Sequence, residues 1–389
     1  MGRHRSEAMF KNVVVGGGVI GLSIAYELAK RNQQVVLLDR DEFGKKASWV
    51  GAGILPPVSA ATAIHPMEHL AALSHRLHER WAAELLQRTA IDNGFRKCGG
   101  LYLARSAGEH ASLTGMMAEW TERRIEFEQL DDVAMDQRFG VFANKDLIRS
   151  SIWVPGESQI NNRHHLKALV AACCDLGVEM NESIGEARLV CDKSRVESVA
   201  SPSGSFSGDN FIFASGPWTE QLIQPTNVKL PMQPVRGQIA LYKVPPEIES
   251  TAKWPIVNEG SRYLVPRVDG HVLAGATIEE VGFDCMTTES EINGLREWAE
   301  SLTDRLSDAS FVKAWAGLRP ATYDGLPYLG HLGDIENAFV ATGHFKDGLH
   351  LSTGTAIVMA DLIEGKTPSI NLQPFNTLRA TDHQSMDNR

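Results

Sequence analysis

Cysteine is scarce in this sequence, and its arrangement argues against two kinds of structural site. Among the 389 residues there are five cysteines, and no two have the C-x-x-C spacing. They are Cys98, Cys173, Cys174, Cys191 and Cys285. Because the number is odd and the spacing irregular, the pattern predicts neither a disulfide framework nor a zinc site. We therefore expect that the protein binds no metal. We also expect it to reside in the reducing cytoplasm.

Basic charge and long apolar runs are also lacking. Lysine and arginine number 38 against 48 aspartates and glutamates, which gives a formal net charge of −10. Non-specific nucleic-acid binding requires a basic surface, so nucleic acid is not an expected partner. No run of about eighteen apolar residues occurs, which predicts neither a transmembrane helix nor a membrane partner. The first ten residues lack the apolar segment of a secretory signal, so the expected location is the cytoplasm.

The stretch 12–40 carries the strongest local pattern. A valine run at 13–15 predicts a buried strand, and a helical pattern and a second apolar run, 35–38, follow it. Between strand and helix the motif G-x-G-x-x-G is formed by Gly16, Gly18 and Gly21. These glycines permit a tight turn and the close approach of a pyrophosphate to the helix N-terminus, while Asp39 is placed to bind a ribose. The stretch predicts a dinucleotide site and leaves FAD and NAD as alternatives.

Small residues follow apolar segments at three other places. Residues 45–57 are rich in them, and the strand-like run at 211–214 leads into Ser215 and Gly216. A third junction, 342–351, reads TGHFKDGLHL. Ligands of an open α/β sheet lie beyond the carboxyl ends of its strands, so we expect these junctions to meet at one cofactor.

The separation of these junctions predicts a discontinuous domain. The expected fold class is α/β (α+β overall), with a Rossmann-like dinucleotide domain and a second domain built on an antiparallel or mixed β-sheet flanked by helices. Residues 10–65, 150–225 and 312–370 are assigned to the first domain, 66–149 and 226–311 to the second, and 1–9 and 371–389 to flexible termini.

Hydrophobic periodicity predicts the remaining elements. Helices are expected at 68–91, 109–124, 131–139, 162–176, 288–306 and 351–364. Strands are expected at 101–104, 238–243, 262–266, 271–274, 311–316 and 338–341, with a β-meander over 178–180, 186–191, 195–200 and 204–207. The helix at 68–91 carries His69, His75 and His78 without matching carboxylates or cysteines, which favours a packed or solvated face over a metal site.

Four segments together resemble the D-amino-acid oxidase family of FAD-dependent oxidoreductases. They are GGGVIG at 16–21, ASGPW at 214–218, WAGLRPATYDGLPYLG at 315–330 and GHFKDG at 343–348. Within that family they are most similar to the glycine oxidases of thiamine biosynthesis (ThiO type). The resemblance spans nearly the whole chain and implies FAD as the cofactor. The residues that it assigns to FAD are Gly16, Gly18, Val19, Ile20, Gly21, Asp39, Arg40, Ala47, Ser48, Gly51, Gly53, Ser215, Gly216, Gly343, His344, Lys346, Gly348 and Leu349.

The resemblance also implies a reaction. It is the oxidative deamination of glycine or a similarly small amino acid or amine, in which the Cα hydride passes to flavin N5. Water then hydrolyses the imine to an oxo acid, and O2 reoxidises the flavin with formation of H2O2. Some sarcosine oxidases attach FAD through a cysteine near the L-R-P motif, a region without cysteine here, so the implied FAD is noncovalent.

Two residues are implied in catalysis. Arg319 matches the anchor of the substrate carboxylate, and Tyr263 matches a tyrosine that closes over the substrate. Two positions depart from the glycine-oxidase pattern: Ser261 stands in place of a histidine and Lys346 in place of an arginine. A cation at position 346 could still stabilise negative charge on the reduced flavin.

Several alternatives stay open. The protein could be a D-amino-acid or secondary-amine dehydrogenase that passes electrons to a quinone or carrier protein. It could also be a flavoprotein domain acting on a carboxymethylaminomethyl group of tRNA, although the charge of −10 disfavours this. The identity of the amine is left undetermined, and homo-oligomerisation is implied by the family alone.

Overall fold

The computed structural model describes residues 10–140, 148–192, 194–245 and 251–379. Its strands are β1 (Phe10–Val15), β2 (Val35–Leu38), β3 (Ile54–Leu55), β4 (Arg96–Lys97), β5 (Gly100–Ala104), β6 (Glu128–Leu130), β7 (Ser150–Val154), β8 (Ser158–Gln159), β9 (Glu179–Asn181), β10 (Arg188–Cys191), β11 (Val196–Ser201), β12 (Gly204–Phe213), β13 (Met232–Lys243), β14 (Ile256–Glu259), β15 (Arg262–Pro266), β16 (His271–Gly275), β17 (Ser310–Thr322), β18 (Tyr328–His331) and β19 (Ala338–Thr342). Its α-helices are α1 (Val19–Lys30), α2 (Ala47–Val50), α3 (Pro66–Thr89), α4 (Ala107–Glu122), α5 (Asp132–Arg138), α6 (Asn162–Asp175), α7 (Thr219–Leu222), α8 (Glu289–Leu302), α9 (Asp304–Ser307) and α10 (Gly348–Ile363).

The first sheet is built around β1. Its strand order is β10-β11-β12-β1-β2-β9, and β19 pairs with both β12 and β18. The pairs β12–β1, β1–β2, β2–β9 and β12–β19 are parallel. Val13 and Val14 of β1 and Phe211 and Phe213 of β12 are fully buried, as expected for a parallel sheet covered on both faces.

Four helices pack together against one face of this sheet. Helices α1, α3, α6 and α10 contribute to one apolar cluster. Contact between α3 and α10 is close because Gly354 has no side chain: its N–H donates to the Ser74 hydroxyl at 3.0 Å. The cluster holds the N-termini of α1 and α10 in fixed positions relative to the sheet.

The second sheet has the order β17-β13-β16-β15-β14-β5-β7-β6 in the described residues. The pair β14–β5 is parallel and its other pairs are antiparallel, so the sheet is mixed. Helix α8 packs the apolar side chains of Ile292, Leu295, Trp298 and Leu302 towards it. A small third sheet, β3-β8-β4, is also present in the described part.

The predicted α/β fold class is confirmed, and most predicted helices and strands are found near their expected bounds. The predicted meander is wrong at its first member, because β9 pairs in parallel with β2 and lies apart from β10 and β11. Strand β12 is also longer than predicted, since the expected strand 204–207 continues without interruption into the buried run that ends at Phe213.

The predicted domain boundaries differ from sheet membership in three places. Strands β7 and β17 belong to the second sheet, although most of their residues were assigned to the dinucleotide domain. Helix α3, assigned to the other domain, packs Leu70, Trp81 and Leu85 against α1 and α10. Chain order alone does not reveal which sheet a segment joins, and the division into two domains stays a prediction.

The predicted flexible C-terminal segment is wrong for residues 371–379, which are ordered on the fold. Phe375 is fully buried in the first apolar cluster, and the Arg379 guanidinium donates to Asp324 at 2.7 Å and stacks on Tyr328. The polar composition of the segment concealed these two anchors. Residues 1–9 and 380–389, predicted to be flexible, lie outside the described residues. In the described part of the chain, no helix has the length and apolar character needed to cross a membrane.

Candidate active site

A cavity of about 530 Å³ lies between residues of the first and second sheets. Its size is typical of a site for a small molecule or cofactor. Most of the first-sheet lining comes from the turn after β1, the segment 46–54 and the start of α10. The second sheet contributes side chains and glycines of β13, β15 and β17. The cavity therefore joins the predicted cofactor loop to the predicted substrate residues.

The turn after β1 brings the N-terminus of α1 to the cavity. Gly16 has a φ of 112°, and a Cβ there would lie 2.5 Å from the Ala214 carbonyl oxygen, so only glycine fits. Gly18 is the N-cap of α1 without a side-chain cap, and no acidic residue lies in the first turn. The Val19 N–H donates to the Ser48 hydroxyl at 2.9 Å. The other N–H groups in the first turn of α1, those of Ile20 and Gly21, are thus available to an anion.

Asp39 borders the same loop. Its carboxylate accepts hydrogen bonds from the Gly17 N–H at 2.6 Å and the Asp41 N–H at 2.9 Å. Burial raises the pKa of Asp39, while these two N–H donors oppose that rise. The carboxylate holds the glycine turn against β2 and still lines the cavity.

These features fit FAD. An uncapped helix N-terminus faces the cavity and would hold the pyrophosphate, because its free N–H groups and dipole attract negative charge. Arg40 and Lys46 add cations to the lining near Asp39, and Arg40 stacks on the Trp218 ring at 4.4 Å. A Cβ on Gly53, where φ is 76°, would overlap the Ile160 carbonyl, so the chain passes close to its neighbour there.

Arg319 projects from β17 into the other end of the cavity. Its guanidinium donates to the Thr277 carbonyl at 3.1 Å and the Arg236 carbonyl at 3.3 Å. No carboxylate in the described residues forms an ion pair with it. The charge of Glu279 acts to raise the pKa of Arg319, but the Glu279 carboxylate is bound to Arg236 at 2.6 Å. Burial lowers the pKa of Arg319, while Tyr263 and Glu279 oppose this effect. A half-buried cation without a protein counter-ion is suited to a carboxylate ligand.

Tyr263 lies beside Arg319. Its hydroxyl is hydrogen-bonded to the Arg319 guanidinium, and its ring lies against Gly275, where a Cβ would be 2.8 Å from a ring carbon. Burial raises the pKa of Tyr263 to about 12. The hydroxyl is therefore neutral at physiological pH and can donate a hydrogen bond.

Three strand glycines make room for these groups and were not predicted. A Cβ on Gly237 would overlap the Arg319 guanidinium, and one on Gly275 would press on the Tyr263 ring. Gly317 gives the same clearance to Val50 of α2, at 2.7 Å from a built Cβ. A lone glycine inside a strand pattern is a known sign of close approach, and RGQ in β13 is such a signal.

The segment before α10 forms the floor of the cavity. His344 is buried, its Nε2 lies 3.1 Å from the Thr355 hydroxyl, and burial lowers its pKa to about 3, so it is neutral. Lys346 is exposed and lines the cavity. Burial raises the pKa of Asp347, against the effect of Lys346.

Nearly all predicted site residues line this one cavity. The lining includes both Arg319 and Tyr263 and every predicted cofactor residue except Gly21 and Gly343. A Cβ on Gly21 would overlap the Gly16 carbonyl, so this glycine packs the helix on the turn. Gly343 lies against Thr322, where a Cβ would be 2.6 Å from the methyl carbon. The roles of all these residues stay predictions.

The histidines of α3 lie outside this cavity. His78 is buried, and its Nε2 is 2.8 Å from the His350 carbonyl oxygen. Burial lowers the pKa of His78 to about 4. Across the described ranges, no group of three or more histidine, cysteine, aspartate or glutamate side chains has the arrangement of a metal site.

Comparisons with known proteins give consistent matches. The family model described as FAD dependent oxidoreductase (DAO) matches residues 11–362. Glycine oxidase from Pseudomonas aeruginosa is 31% identical over 365 residues, which is 93% of this chain and 97% of that protein. The bifunctional protein ThiO/ThiG from Trichormus variabilis is 31% identical over 90% of this chain and 52% of its own length. The crystal structure of glycine oxidase from Geobacillus kaustophilus matches with a TM-score of 0.88 and 29% identity, over 95% of this chain and 99% of that one.

Proposed function

The chain belongs to the DAO family of FAD-dependent oxidoreductases, and from this membership we propose that it oxidises glycine or a similarly small amino acid or amine. The overall reaction converts glycine, O2 and water into glyoxylate, ammonia and H2O2. Two of the relatives described above, which this chain matches over 97% and 99% of their length, are named glycine oxidases. Their names support glycine as the first substrate to test.

The observation that carries this proposal is the Arg319 guanidinium in the cavity, which forms no ion pair with any carboxylate in the described part of the chain. A guanidinium can bind both oxygens of a carboxylate in one plane and thereby fix the orientation of the Cα–H bond. Tyr263 would donate a hydrogen bond to the same carboxylate, since its hydroxyl is neutral and adjacent to Arg319. Both groups orient the substrate, and we assign no general base.

The chain's residues divide the remaining tasks. The N-terminus of α1, Asp39 and Ser48 would bind the adenosine and pyrophosphate of FAD, and the segment 343–349 would follow its isoalloxazine ring. The chemistry that FAD supplies when bound is the two-electron oxidation of the amine, after which O2 restores the oxidised form of FAD. The Tyr263 ring, which lies over Gly275 beside Arg319, would limit the space left for the substrate.

We also propose a division of labour between the sheets and a cellular setting. The first sheet would hold FAD and the second would bind the substrate, as the two predicted domains imply. The ThiO/ThiG similarity supports a role in thiamine biosynthesis, and the predicted location is the cytoplasm. A homo-oligomer is a further prediction from the family.

The test is an anaerobic titration of the purified yellow protein with glycine. Loss of the flavin absorbance at saturating glycine, followed by peroxide and glyoxylate formation when air is admitted, is the expected result. Sarcosine and D-alanine complete the first panel of amines. A flavin that stays oxidised with every amine would contradict the proposal.

Two alternatives are separated by the same preparation. If the amines bleach the flavin but air produces no peroxide, while a quinone restores the colour, the protein is a dehydrogenase. If no amine bleaches the flavin and tRNA binds with a steep salt dependence, a function in tRNA modification is favoured instead.

A further inference from the structure

Asn258 is a polar residue of the cavity wall that the proposed reaction does not use. It lies on β14 directly opposite Tyr263 on β15, so both side chains are on the same face of the second sheet. It lines the cavity and is half-buried. Its Nδ2 donates to Glu157 at 3.1 Å, and its carbonyl oxygen accepts no hydrogen bond from any described residue. That oxygen is therefore a free acceptor, among the described residues, on a side chain that lines the cavity.

Glu157 fixes the orientation of this amide. It is fully buried and accepts two hydrogen bonds, one from Asn258 and one from the Tyr102 hydroxyl at 2.5 Å. Gly100 makes room for it, because a Cβ there would overlap the carboxylate. Burying a carboxyl group is unfavourable unless hydrogen bonds compensate, and the bonds from Asn258 and Tyr102 hold both donors against Glu157. The amide NH2 therefore faces Glu157 and the carbonyl oxygen faces away from it.

The carboxylate-binding side chains reach away from Asn258. The Tyr263 ring lies over Gly275 of β16, on the side of β15 opposite to β14. Arg319 lies over Gly237 of β13, one strand further along the order β13-β16-β15-β14. Three strand spacings, about 14 Å, therefore separate the strand beneath the guanidinium from the strand that carries Asn258.

The cavity wall beside Asn258 carries small residues in the turn between β14 and β15. Gly260 and Ser261 line the cavity next to Asn258 and are exposed. Ser261 lies in this turn, two residues before Tyr263. A glycine held at Arg319 would carry its amine only one carbon from the carboxylate and would not reach this turn, whereas a longer substrate would extend towards it.

We propose that Asn258 is a specificity-determining residue for substrates longer than glycine. Its carbonyl oxygen accepts a hydrogen bond from a donor, such as a hydroxyl or amide N–H, at the far end of an extension on the carboxylate-anchored amine. Glu157 is the positioning residue for this contact. The inference rests on the proposed function, in that Arg319 holds the carboxylate, and it adds the chemical class of the remainder of the substrate.

The test uses ligands that the enzyme cannot oxidise. Hydroxyethoxyacetate and propoxyacetate share a carboxylate and a chain length, and differ in a terminal hydroxyl or methyl group. Both carry an ether oxygen where the substrate has nitrogen. Calorimetric titration of the holoenzyme should give an affinity about tenfold higher for the hydroxyl ligand, the effect of one hydrogen bond. Equal affinities in the wild type would overturn the inference.

Variants then assign the preference to Asn258. In Asn258→Leu the two ligands should bind equally, and Asn258→Ala, which also removes the acceptor but adds no bulk, provides the same test if the leucine variant does not fold. Asn293→Leu, an exposed site on α8, is the matched control and should keep the preference. A preference that survives in the folded Asn258 variants, or an equal loss of affinity for both ligands, would show that Asn258 does not read the distal group.

Glu157 is tested by rescue. Glu157→Leu should reduce the preference for the hydroxyl ligand, and Glu157→Gln, whose amide can still accept from Asn258, should restore it. A merely structural role would lower the melting temperature without changing this ratio. If the ratio is the same in Glu157→Leu as in the wild type, the positioning role is wrong.

The position of the extension is resolved with oxidisable amines. Anaerobic bleaching is compared between N-hydroxyethylglycine and N-propylglycine, and between D-homoserine and D-norvaline. A hydroxyl preference in the first pair assigns the extension to the amine nitrogen, and one in the second pair assigns it to Cα. Absence of a preference in both pairs would overturn the inference even if glycine itself bleaches the flavin. Failure of glycine alone would count only against the proposed function.

Discussion

At the level of single residues, the charge of Arg319 can be separated from its geometry. Arg319→Lys keeps a cation but loses the planar pair of donors that a carboxylate needs. Since hydrogen bonds to charged groups contribute about 1.5–3 kcal/mol, the Kd of glycine should rise by about ten- to hundredfold. The Kd is obtained from the glycine dependence of the anaerobic bleaching rate.

The matched control for this variant is Arg195→Lys, an exposed arginine that pairs with Glu336 at 3.0 Å outside the cavity. Glycine binding should be the same in Arg195→Lys as in the wild type. A wild-type Kd in Arg319→Lys as well would show that Arg319 does not hold the carboxylate.

Glu157 gives a second residue-scale prediction, which concerns pH. Burial raises the pKa of Glu157 from 4.5 to about 7. Between these values the folded protein holds a proton that the unfolded chain has lost, so the free energy of unfolding falls as the pH rises from 4.5 to about 7. Glu157→Gln removes this effect, and its stability relative to the wild type should increase by about 3 kcal/mol over that range. Urea titrations at several pH values, in one cofactor state, measure the difference. Parallel pH profiles would contradict the assigned pKa.

At the level of elements, the contact between α3 and α10 depends on one missing side chain. A Cβ on Gly354 would overlap the Ser74 hydroxyl and lie 3.1 Å from the Leu70 carbonyl oxygen. The two helices must therefore move apart to admit even a methyl group. Because α10 begins at the cavity floor, this packing also sets the position of the segment that carries Lys346 and Gly348.

Gly354→Ala should accordingly lower the free energy of unfolding by about 1–3 kcal/mol, the usual cost of overpacking. Gly115 of α4 is the matched control, since it is exposed and a Cβ there meets nothing within 4 Å. Gly115→Ala should be neutral or more stable by up to about 1 kcal/mol, because alanine favours the helix. Chemical unfolding measures the free energy of unfolding of both variants. If Gly354→Ala is as stable as Gly115→Ala, the packing of α3 on α10 does not depend on the missing side chain.

At the level of the whole molecule, the cofactor cavity gathers residues from both large sheets but no cysteine. All five cysteines lie within the described residues, and none lines the cavity. A covalent link to a cysteine therefore has no partner. Heat or acid denaturation should release all yellow colour into the supernatant, as measured by absorbance after precipitation of the protein. Colour that stays with the pellet after washing would contradict noncovalent binding.

Much of the site was predictable because its determinants are local in sequence. The βαβ unit around Gly16 needs a turn of fixed geometry, and only glycine provides it, so the pattern is legible in the letters alone. The L-R-P motif at Arg319 is similarly contained in one strand. The C-terminal segment, in contrast, reads as polar, and only its packing shows that Phe375 and Arg379 hold it to the fold.

The sequence by itself determined the glycine turn after β1, the order of strands and helices along the chain, and the residues that are predicted to bind a carboxylate. Each of these depends on neighbours within one turn or one strand. Only the tertiary structure decided which sheet β7 and β17 join and why Gly237 and Gly275 must lack side chains. It also decided that Asn258 and Tyr263 are opposite each other on neighbouring strands. Those properties arise from strand pairing between residues far apart in the chain, because pairing sets which side chains share a face and what space remains between them.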